Sequence, residues 1–190
     1  MSNNTIIFLR HAETKIDKNI MVSHWKLTEK GKIEASHISK LDLFKDLDLI
    51  ISSNEEKAFM TAIPFSERLH KEIIRDESLN EINRDKGNYI NTNQEYLKIL
   101  KLCLAYRNKS FNYWETVNNA LKRFSKKIQD FDLKYTNKKI LIVSHGVVIN
   151  LYFAKVLGKL DNVFDRWSTN TFCDYGIIRD GKVLKDIAQF

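Results

Sequence analysis

The stretch Lys139–Gly158, KILIVSHGVVINLYFAKVLG, joins two apolar runs through the polar step Ser144-His145-Gly146. Lys139–Val143 is short and near-continuous, as expected of a strand buried on both faces. Val147–Leu157 is apolar nearly all round and stops at Gly158, which suits a helix C′ residue. A buried strand running straight into a buried helix is one half of a strand–helix–strand unit, and the rest of the chain supplies partners for it. Strand-length runs recur at Thr5–Leu9, Asp48–Ile51 and Glu72–Arg75. Between them, Thr28 is a natural N-cap for the segment EKGKIEASHISKL. Lys57–Leu69 carries Ala58, Ala62, Phe65 and Leu69 on one stripe, with Pro64 predicted to kink that helix or shift its start. Tyr113–Phe131 is a longer amphipathic pattern. The closing YGIIRDGKVLKDI reads as a hairpin turning at Asp180-Gly181, the dipeptide a type I′ turn favours. Strand alternating with helix predicts one α/β domain over residues 1–190, a three-layer α/β/α sandwich on a mostly parallel sheet.

Composition fits a soluble domain: 190 residues, 43% apolar and 29% charged. No apolar run approaches the roughly 18 residues of a membrane span. The opening MSNNTIIF lacks the basic and apolar regions of a secretory signal. Cys103 and Cys173 lie far apart and show no metal-ligand spacing, so a reducing, cytoplasmic setting is expected. The net charge of +7 is unevenly spread: residues 84–139 hold 13 Lys/Arg against 5 Asp/Glu. That excess suits steering of an anionic substrate, a nucleic-acid face or a plain solvated surface.

Open α/β sheets bind ligands outside the carboxyl ends of their strands. The first strand ends at Arg10-His11, the second at Ser52-Ser53 leading to Lys57, and the fourth at Ser144-His145-Gly146. Two histidines, an arginine, a lysine and several hydroxyls therefore meet at one edge. This set suits phosphoryl transfer. A neutral imidazole attacks phosphorus, arginine clamps phosphoryl oxygens bidentately, and a helix N-terminus favours anions. A carboxylic acid must protonate the leaving oxygen. Metal chemistry finds little support. The five histidines, His11, His24, His37, His70 and His145, include no i,i+4 pair and no Cys/His cluster. There is no G-x-S-x-G elbow, no Walker A loop and no G-x-G-x-x-G.

These residues resemble the histidine phosphatase superfamily, the phosphoglycerate-mutase-like group. Its Arg-His-Gly-Glu-Thr signature resembles Arg10-His11-Ala12-Glu13-Thr14. Its L-T-x-x-G-x-x-Q-A start of a helix resembles Leu27–Ala35, and its S-S-x-x-x-R-A-x-x-T-A resembles Ser52–Ala62. Its L-x-E-I resembles Leu79–Ile82, its late V-S-H-G-x-V-I resembles Val143–Ile149, and its G-E-S followed by an Arg eight residues after the Glu resembles Trp114-Glu115-Thr116 and Arg123. The resemblance implies that His11 is the nucleophile and that Arg10 and His145 hold the phosphoryl oxygens. Glu81 would be the proton donor and later the base for water, with Glu77 as the fallback acid. Lys57, Thr14, Ser53 and Gly146 would complete the substrate-binding set. No metal and no cofactor are implied.

The sequence departs from the group at four places. Ala12 stands for glycine and requires a negative φ. Ile16-Asp17 replace a Trp-Asn pair whose Asn serves the phosphate pocket. The segment Lys18–Lys26 is shortened, so Ser23 and His24 have no assigned place. Lys57 stands for the second phosphate-binding arginine. Lysine keeps the charge and loses the planar fork, at a cost on the order of 1.5–3 kcal/mol of phosphoryl stabilisation, roughly 10- to 150-fold in rate.

Residues 83–113 are expected to form a small helical lid that sets substrate choice. Tyr89, Tyr96, Tyr106, Phe111, Tyr113 and Trp114 occur there or beside it, among Lys86, Lys98, Lys101, Arg107 and Lys109. The same stretch also reads as an amphipathic helix whose Leu97, Leu100 and Leu104 enter the core. The expected activity is a metal-independent phosphomonoesterase acting on a small phosphorylated metabolite through phosphohistidine. Alternatives are a phosphoglycerate mutase-type phosphotransferase, or a weakened scaffold that binds a phosphate ligand or nucleic acid. The expected partners are the substrate and phosphate, without nucleic acid or membrane, and the protein a monomer or homodimer.

Overall fold

The computed structural model describes residues 2–189. Six strands form one sheet: β1 Thr5–Arg10, β2 Leu49–Ser53, β3 Ile73–Asp76, β4 Lys139–Ser144, β5 Tyr175–Arg179 and β6 Lys182–Lys185. Their order is β3-β2-β4-β1-β5-β6. The first four run parallel, and β5 and β6 add an antiparallel edge. The helices are α1 Glu29–Ser39, α2 Glu56–Leu69, α3 Asn93–Ala105, α4 Val117–Lys134, α5 Gly146–Val156 and α6 Val163–Ser168. No described helix is long and apolar enough to cross a membrane.

Strand alternation divides the core. Ile7 and Leu9 of β1, Leu141 and Val143 of β4 and Ile50 of β2 pack with Phe44, Ala58, Ala62 and Phe65 on one face. Ile6, Phe8, Ile51, Ile140 and Ile142 pack with α4 and α5 on the other. Both faces are covered, which is why these strands read as unbroken apolar runs. The connections after β1 and β2 lie on the first face, and those after β3 and β4 on the second. The chain therefore changes face at the neighbouring pair β1 and β4, the position where such sheets open a crevice.

Local chemistry sets the element ends. Thr28 Oγ1 accepts from Gly31 N at 2.9 Å and starts α1. The helix α2 runs unbroken through Pro64 from a start at Glu56, so the predicted shift of its start does not occur. Gly158 takes φ +68° after α5, and Asp180 and Gly181 take φ +48° and +72°, as a type I′ turn requires. Helix α4 begins at Val117, four residues later than its pattern suggested, because Thr116 caps it through Asn119 N.

Gly31 ties α1 to the segment after β1. A Cβ there would lie 2.2 Å from the Glu13 carbonyl oxygen, a backbone atom that already accepts from Thr28 N at 3.0 Å. Gly31→Ala gains helix propensity but forces these two segments apart, with a net loss expected at about 1–3 kcal/mol. A urea titration reads it as a lower midpoint at unchanged slope. An unchanged midpoint would mean that the two segments move apart freely.

Candidate active site

Strands β1 and β4 pair in register, Arg10 opposite Ser144. The sequences that follow therefore leave the sheet side by side, and His11 N still donates to Ser144 O at 2.9 Å. The rings of His11 and His145 end with centroids 5.2 Å apart. His11 Nδ1 lies 2.8 Å from the Ala12 carbonyl oxygen and 3.2 Å from Thr14 Oγ1, whose own hydroxyl donates to that carbonyl at 3.3 Å. A carbonyl only accepts, so Nδ1 carries the proton and Nε2 keeps the lone pair. Ala12 has a negative φ, so alanine serves in place of glycine.

His145 is oriented by a relay. The Ser53 hydroxyl donates to Asn80 Oδ1 at 2.8 Å and lies 2.8 Å from His145 Nε2, so it accepts there. Nδ1 of His145 is buried and finds no protein partner, and the same holds for Arg10 Nε. Burial holds both imidazoles well below the ordinary histidine value. For His11 the charges of Lys57 and Arg10, and that of His145 whenever it is protonated, add to it, and for His145 those of Lys57, Arg84, Arg123 and Arg10. Both rings are neutral at neutral pH.

Arg10 is fixed by Nη1 donating to the carbonyls of Asn170 and Thr171 at 3.0 and 3.4 Å, and it lies 4.8 Å from the Phe172 ring centre. Burial lowers its pKa, yet a guanidinium keeps its charge. Gly146 makes room for it: a Cβ there would sit 3.2 Å from Arg10 Nε and 3.1 Å from Trp167 Nε1.

Glu81 is buried beside them at the start of α5. Oε1 accepts from Ile82 N and Val148 N at 3.0 and 3.2 Å, and Oε2 accepts from Val147 N at 3.0 Å. The helix N-terminus that sequence reasoning offered to an anion is thus taken by this carboxylate. Oε2, with a single partner, keeps a lone pair for a proton. Burial raises the Glu81 pKa above 4.5, with Glu55 adding to the rise, while Arg84 and the N–H groups of Val147 and Ile82 restrain it. Arg123 staples the loop in place. It donates to the carbonyls of Ser78, Asn80 and Glu81 at 2.8–2.9 Å and grips Glu115 through two nitrogens.

A cleft of about 590 Å³ opens above these groups, lined by Arg10, His11, Thr14, Lys57, Glu81 and Gly146 among others. Ser53 does not line it, since its hydroxyl is engaged below with His145 and Asn80. Glu77 is exposed and lines a different cleft, with Ser23, Glu115 and Arg123. Asp17 also stands outside the cleft and turns back to accept from Asn19 N at 2.9 Å. Ser23 binds Asp85 through its hydroxyl at 2.6 Å, which ties the shortened segment to the loop after β3. Of the stretch 83–113, residues 84–85, 87–93 and Tyr96 line the cleft, joined by Trp114. Tyr106 and Tyr113 are exposed, whereas Leu100, Cys103 and Leu104 enter the core. Among the described residues no group of three His, Cys, Asp or Glu side chains is placed to hold a metal ion.

Lys57 is the largest departure from expectation. It is 3% exposed and lies against Glu55, itself 6% exposed, in a close ion pair. It also donates to the Val22 carbonyl at 2.9 Å. Glu55 Oε1 in turn accepts from Glu81 N at 2.7 Å and faces His145 Nε2 at 3.6 Å. Two groups in this region gave no signal in the sequence: Glu55, a carboxylate beside a lysine two residues on, and Arg84, in a loop without periodicity.

The fold, the paired histidines and the arginine together define a histidine phosphatase architecture. Residues 6–183 match the histidine phosphatase superfamily (branch 1), and the chain belongs to that superfamily. Phosphoserine phosphatase 1 of Hydrogenobacter thermophilus is 21% identical over 160 residues, covering 80% of this chain and 76% of its own. Mycobacterial glucosyl-3-phosphoglycerate phosphatase superposes with a TM-score of 0.79 at 18% identity, over 97% of this chain and 99% of its own. A phosphoserine phosphatase of Entamoeba histolytica, solved in complex with phosphoserine, gives 0.73 at 21% identity, over 96% and 94%.

Proposed function

We propose that the protein is a phosphomonoesterase that hydrolyses a small phosphorylated metabolite through a phosphohistidine on His11. One observation carries this reading: His11 holds its proton on Nδ1 against the Ala12 carbonyl, which leaves Nε2 unprotonated beside Arg10 and His145. Several relatives bear phosphatase names, and the mycobacterial enzyme has also been solved with inorganic phosphate. In the first step the Nε2 lone pair attacks phosphorus as the bond to the leaving oxygen breaks. Glu81 Oε2 gives that oxygen its proton. In the second, water attacks phosphorus, its proton passes to Glu81, and the P–N bond breaks to release phosphate. Arg10, which lines the cleft, would meet the phosphoryl oxygens; Nδ1 of His145, buried and without a partner, does not line the cleft and would reach them only through a shift of its ring. His145 donates from Nδ1 once protonated, a change that an incoming dianion favours. Residues 83–113 would act as the substrate-selecting lid of a single domain. The free Cys103 and Cys173 accord with a cytoplasmic setting.

The test is the pH dependence of p-nitrophenyl phosphate hydrolysis, joined to trapping of the phosphoenzyme. His11 attacks only when neutral, so kcat/KM rises as pH climbs through its lowered pKa, well below 6.5. Glu81 donates only when protonated, so kcat/KM falls as pH climbs through its raised pKa, above 4.5. Glu81→Gln loses the alkaline limb, and about 10²- to 10⁴-fold in rate on an alkyl phosphate. A phosphoenzyme stable to acid and labile to base would exclude phosphohistidine.

A further inference from the structure

The cleft contains a second arginine that neither the fold nor the phosphoryl site uses. Arg84 lines it on the wall formed by the loop after β3 and by α3. Its guanidinium carbon lies 5.4 Å from the Tyr96 ring centre and 5.5 Å from that of Trp114. Tyr96 packs in turn on Trp114 and Trp167, so the aromatic wall behind the arginine is braced. Among the described residues Arg84 donates no hydrogen bond and forms no ion pair. A guanidinium resting against aromatic faces keeps its in-plane N–H groups free, and their fork matches a carboxylate.

The position of the charge says which part of a substrate it meets. Arg84 follows Glu81 by three residues on the loop after β3, and both line the cleft. The arginine therefore shares a wall with Glu81, on the side where the leaving group would lie, and its charge bears on Glu81 as well as on His145. Tyr96, Glu81, Glu55 and Asp85 all act on it. A lone guanidinium already facing three carboxylates suits a singly charged carboxylate better than a second phosphate dianion. Lys86, Lys98, Lys101, Arg107 and Lys109 do not line the cleft, and Arg107 is turned to Asp161. Arg84 is the cation that the stretch 83–113 brings to the site.

We propose that Arg84 determines specificity by binding a carboxylate on the leaving group of the phosphomonoester, so that the preferred substrates are phosphorylated acids. This rests on the phosphatase reading above and narrows it. The test uses substrate pairs that differ in the carboxylate: O-phosphoserine against O-phosphoethanolamine, and 3-phosphoglycerate against glycerol 3-phosphate. Wild type is expected to prefer the acid in at least one pair. Arg84→Gln lowers that ratio of kcat/KM values about 10- to 100-fold, the worth of one charge-assisted contact, and Arg84→Lys recovers part of it. Equal treatment of acid and partner by wild type overturns the proposal. So does a proportional loss on both members in Arg84→Gln, which would put the arginine on the phosphoryl group. The same pairs are titrated calorimetrically into His11→Ala with and without Arg84→Gln, where the ratio of Kd values reports the carboxylate preference independently. Failure to turn over p-nitrophenyl phosphate would sink the phosphatase reading, and those Kd ratios would still decide the role of Arg84.

Discussion

His11→Ala is expected to lower kcat on p-nitrophenyl phosphate by roughly 10⁴- to 10⁶-fold, the scale of losing a covalent nucleophile. The rest of the phosphate cradle survives the change. Arg10 is held by the carbonyls of Asn170 and Thr171, and His145 by Ser53, none of which depends on the imidazole removed. The variant should therefore still bind inorganic phosphate, with a melting temperature within a few degrees of wild type. A large loss of turnover with phosphate binding retained locates the defect in bond formation. Removing a buried neutral histidine also has a sign in stability. The unfolded chain takes up a proton below about pH 6.5 that the folded site refuses. Wild type thus loses stability as pH falls below 6.5, and the variant loses up to about 1.4 kcal/mol less per pH unit there. Turnover by the variant equal to that of wild type would remove His11 from the reaction.

How far the site could be read from the chain follows from how each residue is placed. Arg10, His11 and His145 were legible because Arg10 ends a buried strand and each histidine directly follows one, and buried strands announce themselves as apolar runs. Adjacent parallel strands then bring their ends together by geometry alone. Glu81 was not legible from spacing, since 24 acidic residues compete for the role and only the resemblance singled it out. Its place is set by contacts distant in sequence: the N–H groups of Val147 and Val148, and the Arg123 staple. Arg84 was hidden because the aromatics that orient it come from residues 96 and 114. Glu55 was hidden for a different reason. It sits at the N-cap of α2, where a side chain usually turns out to cap the helix, and here makes no such bond. It turns inward to Lys57 and the Glu81 backbone. Lys57 was read as a cation that meets substrate; the structure puts it at the cleft, where its partner within the chain is Glu55.

Lys57→Met is expected to destabilise the protein by about 3–5 kcal/mol, because it strands a buried carboxylate without its counter-charge. Glu55 has little access to water and its second oxygen is already committed to Glu81 N. The double variant Glu55→Gln/Lys57→Met should recover most of the loss, since replacing both members of a buried pair is often close to neutral. Glutamine keeps an acceptor for Glu81 N, so the loop carrying Glu81 is preserved. The double-mutant cycle, read by urea titration, measures the coupling directly, and a single-variant cost below about 1 kcal/mol would mean the two side chains do not depend on each other. Activity supplies a second reading. Lys57 is among the charges that keep both histidines neutral. Removing it raises their pKa values, and the acid limb of kcat/KM moves to higher pH in the single variant, where unpaired Glu55 also favours imidazolium. The double variant loses both charges and should return toward the wild-type limb. If the limb stays fixed in both, Lys57 acts on substrate rather than on the histidines, and the pairing with Glu55 opens when phosphate arrives.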